Sequence, residues 1–242
     1  MYMSSTTTEY ESSPNLKETA RFSRLLRLTP RFELLPHESG SKSAAENMIS
    51  EGFKRAFLAN LESFMPQLLS MHCMSKLSGV AGICLAGNQH LFLEQYLDAP
   101  IETEPAKHSN LSVNRHCIAE IGNLVAAKNG ASLAVFVVLA CALQRAGFTH
   151  MVSTATESLR EKFQCLGLRT CFIANAQISK LETKNQSNWG TYYQTDPQVI
   201  AAELEAANEL ISQRPLYNCI KNTFANQVDA LTEQLLRLRP TA

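Results

Sequence analysis

The chain has 242 residues, with 22 lysines and arginines against 22 aspartates and glutamates, and 45% of its residues are apolar. A formal net charge of zero supplies no overall field to draw in nucleic acid or an anionic membrane, so neither is expected as a partner and binding is a local matter. The length suits one domain with an appendage, large enough to hold a core and a pocket without disulfide or metal staples.

Residues 1–24 are rich in Ser, Thr and Glu and offer little to bury, which predicts a disordered or loosely packed arm. Residues 31–36 (RFELLP) read as a first short strand, followed by the polar loop HESGSKS. From Ile49, apolar residues recur at Phe53, Phe57, Leu61 and Phe64, the spacing of one helix face, and Met65-Pro66 ends that helix. Residues 79–86 (GVAGICLA) then form a small-residue strand, residues 91–97 (LFLEQYL) a short helix, and residues 99–110 a polar loop suited to a lid.

Between His116 and Ala176 the pattern alternates. HCIAEIGNLVA, THMVSTA and LRTCFIANA read as strands; NGASLAVFVVLACALQRA and ESLREKFQCLG read as helices, with Gly147 and Gly167 placed to end them. This predicts a mixed α/β sheet flanked by helices. Residues 185–197 are turn-rich and aromatic and include the single tryptophan. Asp196-Pro197 resembles an N-cap with proline at the first helical position, opening a helix striped by Ile200, Leu204, Ala207 and Ile211. After Pro215 a last helix carries Ile220, Phe224, Val228, Leu231, Leu235 and Leu238. Residues 196–242 therefore read as a helical extension of a domain spanning 25–195, either covering the sheet or forming a homodimer face.

The seven cysteines are odd in number, contain no CxxC and lie mostly in apolar runs, which points to buried thiols in a reducing, cytoplasmic compartment. Closely spaced Cys or His ligand pairs are absent, so no metal is expected. The longest apolar stretch, residues 131–143, is shorter than the ~20 residues that cross a bilayer. There is no GxGxxG before a helix, no Walker loop, no GxSxG elbow and no HExxH, which sets aside dinucleotide oxidoreductases, P-loop NTPases, ordinary α/β hydrolases and common zinc peptidases.

Glu120 lies amid apolar residues of a strand. Burial raises a carboxyl pKa and makes it a candidate proton acceptor from an amine; the other reading is a structural carboxylate bonded to backbone amides or a nearby arginine. The turn Lys128-Asn129-Gly130-Ala131-Ser132 leads into the long helix, where free N–H groups could hold a phosphate, although glycine before a helix is also an ordinary turn.

The order AEIGNLVA, NGASLAVFVVLACALQRAGFTHMVSTATESLREKFQCLGL resembles the later half of the acyl-homoserine-lactone synthases, within the broad GNAT acyltransferase superfamily. LFLEQYLDAPIE, EIGNL, TATESLREKFQCLGL and WGTYYQTDPQV, four separated motifs in order, resemble the thermostable hemolysin family over residues 45–202. The resemblance implies a GNAT-like mixed sheet splayed between its central strands, where the donor's pantetheine arm enters. It places Glu120 at the synthases' glutamate, while Asn123 stands where they carry arginine, a departure from a homoserine-lactone product. Residues 129–132 also depart from the pyrophosphate signature of acetyl-CoA-dependent enzymes, so the implied co-substrate is either acyl-CoA or acyl-phosphopantetheine on an acyl carrier protein.

The activity implied is transfer of an acyl group from a thioester to the amine of a small molecule, an amino acid among the candidates. Glu120 would take the amine proton, and backbone N–H groups of Leu124, Val125 and Ala126 would hold the carbonyl oxygen. Lys128, Asn129, Gly130, Ala131 and Ser132 join them as donor-binding candidates, with Glu94, Gln95, Asn123, Thr154, Thr156, Arg160, Trp189, Tyr192 and Tyr193 as substrate-binding candidates. Arg160 is expected to pair with Glu157 or a substrate carboxylate, and Thr156 to cap its helix. A nucleophilic Cys–His pair is also weighed, since Cys84 is near His90 and Cys117 adjoins His116. The rival readings are a non-enzymatic lytic protein and an inactive GNAT scaffold that senses an acyl ligand.

Overall fold

The computed structural model describes residues 16–35, 40–104, 113–127 and 130–239. They are organised by a seven-stranded sheet in the order β1-β2-β3-β4-β5-β7-β6. Its strands are β1 (Arg31–Leu34), β2 (Gln67–Cys73), β3 (Lys76–Leu85), β4 (Ile118–Ala126), β5 (His150–Ala155), β6 (Cys171–Asn175) and β7 (Gln198–Glu203). All neighbours are antiparallel except β4 and β5. The helices are α1 (Leu16–Leu26), α2 (Gly40–Phe57), α3 (Ala131–Arg145), α4 (Glu157–Leu166), α5 (Thr183–Gln186), α6 (Leu204–Gln213), α7 (Pro215–Thr223) and α8 (Ala225–Leu238).

α3 is apolar around its whole circumference, which requires burial on all sides. One side packs on the sheet and the other is covered by α6, α7 and α8, whose stripe residues Ala207, Ile211, Ile220, Val228, Leu231 and Leu235 share a core with Ile83 and Ala119. Asn208 and Thr232 donate to the carbonyls of Ala140 and Ala142, and Arg145 pairs with Asp229. The C-terminal stripes thus cover this chain's own sheet layer. On the opposite face lie α2, with Ala45 and Ile49 packed on Leu68 and Val80, and the 3-10 turn Phe92–Tyr96. Gly147 and Gly167 both take a left-handed φ just past α3 and α4, and the following N–H groups fold back onto the last turns as helix-ending glycines do.

Three expectations require correction, and one strand, β2, lies where the sequence pattern assigns no element. Residues 16–26, most of them inside the expected arm, form α1, because Phe22 and Leu25 are three apart and bury one face in the core beside Phe224. α2 ends at Phe57, and Leu58 turns left-handed; Leu61 and Phe64 still pack in the α2 cluster, but from an irregular segment. Residues 67–73 form β2, joined to β3 through Met74 and Ser75, both left-handed, a hairpin turn without the Asn or Gly that would announce it. Residues 198–203 are a strand: the run VIAA pairs with β5 on one side and β6 on the other, so the helix begins at Leu204, and Asp196 is left-handed and caps nothing.

Candidate active site

β4 and β5 pair over only three residues, Ile118 with His150, Ala119 with Met151 and Glu120 with Val152. Beyond Glu120 the two strands part, so β4 from Ile121 to Ala126 has a neighbour on the β3 side and an open edge on the β5 side. The register with β3 slips here by one residue, Gly82 facing Gly122 but Val80 facing Val125, which makes a bulge in β4. Asn123 occupies it with φ +49, and its Oδ1 accepts the N–H of Met65 at 2.8 Å. Met65 in turn lies over the cross-strand pair Gly82 and Gly122, where any Cβ would come within 2.6 Å of its side chain. Two glycines and one asparagine therefore fix the irregular segment 58–66 across the opening.

A cavity of about 1260 Å³ runs through the gap between the strands. On the α3 side it is lined by Leu133, Phe136, Leu139, Phe163 and Leu166, with Arg21 and Lys162 also in its wall. On the α2 side its wall is aromatic: Phe53 and Phe57 from α2, Phe92 from the 3-10 turn, and Trp189 and Tyr192 from the segment after α5. The rings contact one another, with centroids 5.1 Å apart for Phe57–Tyr192 and Trp189–Tyr192 and 5.5 Å for Phe92–Trp189. Gly190 makes this approach possible, since a Cβ there would lie 2.2 Å from the Phe57 carbonyl oxygen, and Thr191 donates to that oxygen through both N–H and hydroxyl.

Glu120 sits at the neck, where the strands separate. It is 1% exposed, and its carboxylate accepts the N–H of Phe92 at 2.8 Å and of Leu93 at 3.1 Å. Burial pushes its pKa up to about 8; the two N–H groups pull the other way and offset only part of that. A carboxylate has about four lone-pair sites, so two amide bonds leave acceptor capacity over the cavity it lines. The structural and proton-accepting readings of Glu120 are thus compatible in one geometry.

Its neighbour Glu94 has a different environment. Burial pushes the Glu94 carboxyl up, but Arg115, bonded through both terminal nitrogens at 2.6 and 2.8 Å, and the N–H groups of Leu91 and Ile101 outweigh it and hold the pKa at about 2. Arg115 also bonds Glu102 and the Ala86 carbonyl. Glu94 is therefore a saturated anchor outside the cavity wall, correcting its expected place in an acceptor pocket. Gln95 likewise turns back to the Phe92 carbonyl.

Of the other candidates, Asn123, Leu124, Val125, Ala126, Gly130, Ser132, Thr154, Thr156, Trp189 and Tyr192 line the cavity. Ala131 is buried in the core beside it, and Tyr193 packs behind Tyr192 with its hydroxyl 2.5 Å from that of Tyr96. Lys128 and Asn129 lie outside the described residues. Thr156 occupies the N-cap position of α4 without a side-chain cap bond. Arg160 bonds Asp196 and the carbonyls of Ala155 and Asp196, away from the cavity wall, which corrects the expected pairing with Glu157. Thr154 Oγ1 is buried and, among the described residues, finds no hydrogen-bond partner.

All seven cysteines are free thiols. Cys84 lines the cavity opposite Glu120, but burial pushes its thiol up to about 11 and Gln89 donates to its sulfur, while the exposed His90 pairs with Glu94; these contacts do not activate a nucleophile. Among the described residues no group of three His, Cys, Asp or Glu converges as metal ligands would, and no helix is long and apolar enough to cross a membrane. Residues missed in the sequence are Arg115, Met65 and the pair Phe53–Phe57 as cavity wall; their spacing signals a core face, and nothing local tells a wall from a core.

The family model for thermostable hemolysin matches residues 35–208. No curated protein matches the sequence. Among solved structures, FeeM, an N-acyl amino acid synthase from uncultured soil microbes, aligns with a TM-score of 0.51 at 13% identity, covering 78% of this chain and 97% of that one. The acyl-homoserine-lactone synthase LasI aligns with a TM-score of 0.47 at 11% identity, over 72% of this chain and 90% of that one. The likeness to the first is one of fold, and the splayed sheet is GNAT-like.

Proposed function

The chain belongs to the thermostable hemolysin family, and from its GNAT-like sheet we propose that it is an N-acyltransferase that moves an acyl group from a thioester to the amine of a small molecule. The observation that carries this reading is the continuous cavity through the parted β4 and β5, with the buried carboxylate of Glu120 at its neck. The donor, acyl-CoA or an acyl-phosphopantetheine on a carrier protein, enters from the α3 side, where Arg21, Lys162 and the start of α3 line the wall. Its acyl chain occupies the apolar lining. The amine comes from the α2 side.

In the reaction the amine nitrogen attacks the thioester carbonyl carbon, a C–N bond forms and the C–S bond breaks. Glu120 takes the amine proton, directly or through one water, and the thiolate leaves and is protonated from solvent. N–H groups on the open edge of β4 at Leu124 and Ala126 hold the carbonyl oxygen as charge develops, an arrangement worth ~10²–10³ in rate. The Val125 N–H faces β3, in the same register as that of Ala127, and is not available for this role. The unsatisfied hydroxyl of Thr154, on the facing strand, supplies a further polar contact to the bound donor.

The test is to incubate the purified full chain with panels of acyl-CoA and acylated carrier protein plus pooled amines, following thiol release and product mass. Acylated amine is expected. No turnover with any donor overturns the reading.

A further inference from the structure

The two ends of the cavity differ in kind. Among the described residues, the lysine and arginine that line it are Lys162 and Arg21, and both belong to the α3 side: Phe163 of α4 packs on Phe136 of α3, and Arg21 of α1 lies beside Gly130. The α2 side has aromatic rings around a carboxylate. These rings are held in place before any ligand arrives, because Tyr192 donates to the Thr154 carbonyl at 3.2 Å, stacks against Phe53 at 6.2 Å and meets Phe57 edge-on. Ring faces carry negative charge density and attract an ammonium group, and the Glu120 carboxylate stands next to them, bonded to Phe92 of the same wall.

Resting on the acyl-transfer reading, we propose that the acceptor is an aralkyl or branched alkyl amine without a carboxylate next to its nitrogen. Its apolar body lies on Phe53, Trp189 and Tyr192, and its amine points at Glu120. An α-amino acid placed the same way would bring its own carboxylate against Glu120 and the ring faces. The charge would then be taken from water without a paired cation, which is strongly unfavourable. Arg115, behind the Phe92–Tyr96 turn, is already committed to Glu94 and Glu102, and His90, which lines the cavity, pairs with Glu94. The rings also give a decarboxylated ligand apolar surface to bury in proportion to its size.

Because Trp189 is the single tryptophan and stands in this wall, its emission reports occupancy directly. The full chain, without any acyl donor, is titrated with matched pairs, phenethylamine against phenylalanine and isopentylamine against leucine, with calorimetry in parallel. The amine of each pair is expected to bind with a Kd lower by about tenfold or more, the scale of leaving a buried polar group unpaired. Phe53→Leu and Phe57→Leu, checked for folding by circular dichroism, should weaken phenethylamine binding in calorimetry. Equal or tighter binding of the amino acids, or binding of neither member, overturns the proposal. Amine binding with no acylated product from any thioester sinks the acyl-transfer reading alone; faster acylation of the amino acids sinks the acceptor assignment alone.

Discussion

Arg115 grips Glu94 with both terminal nitrogens, at 2.6 and 2.8 Å, while the same carboxylate accepts the N–H groups of Leu91 and Ile101. This ion pair fixes the 3-10 turn Phe92–Tyr96, and the N–H groups at the start of that turn are the ones that hold Glu120. Two glutamates, one on this small element and one bonded to it from β4, are driven apart, Glu94 held ionised by Arg115 and Glu120 pushed toward the proton by burial.

Removing the guanidinium leaves Glu94 buried with its backbone donors and the exposed His90 as partners. Arg115→Ala is expected to cost ~3 kcal/mol in urea unfolding. The wild-type pH dependence follows from the depressed pKa: Glu94 contributes stability above its ordinary value of 4.5 and loses it as pH falls toward about 2. In Arg115→Ala the acid limb of the Tm profile should move to higher pH.

Glu120 works in the opposite sense. Its folded pKa of about 8 lies above its ordinary 4.5, so its contribution to stability is full below 4.5 and is lost as pH rises through 8. Glu120→Gln should therefore gain on wild type in Tm across that window. If Glu120 is the proton acceptor, kcat/KM of wild type rises to a plateau above about pH 8, and Glu120→Gln lowers it by ~10²–10⁴ and flattens the profile. A purely structural role would lower activity while leaving the limb in place.

Asn123 combines a left-handed backbone with the bond to the Met65 N–H. Asn123→Gly keeps the backbone and loses the bond, at a cost of ~1–3 kcal/mol. Asn123→Ala loses both, and its urea midpoint should correspond to ~1 kcal/mol less stability than the glycine variant. The reverse order would show that φ at the bulge carries no strain.

Gly190→Ala places a methyl group against the Phe57 carbonyl oxygen and the Leu58 backbone, neither of which can rotate away. A loss of ~2 kcal/mol or more is expected, with altered near-ultraviolet circular dichroism from Trp189. Gly40→Ala, at the start of α2 with nothing within 4 Å, should stay within ~0.5 kcal/mol of wild type.

The strand and helix alternation from His116 to Ala176 was legible in the sequence because periodicity, apolar runs and helix-ending glycines are local signals, and Glu120 was legible because a carboxylate in an apolar strand is a local anomaly. β2 and β7 were not, since the first ends in a Met-Ser turn that carries no turn signal and the second follows a Pro that imitates a helix start. Local pattern also says nothing of how far two parallel strands remain paired. The parting of β4 and β5 after Glu120, the bulge at Asn123 and the wall built from Phe53, Phe92 and Trp189 all depend on contacts between distant segments. The sequence by itself determined which residues could form the layers and where a titratable carboxylate would sit; only tertiary packing decided that the layers leave a gap there, because a cavity is a property of side chains that fail to meet, and no single segment carries that information.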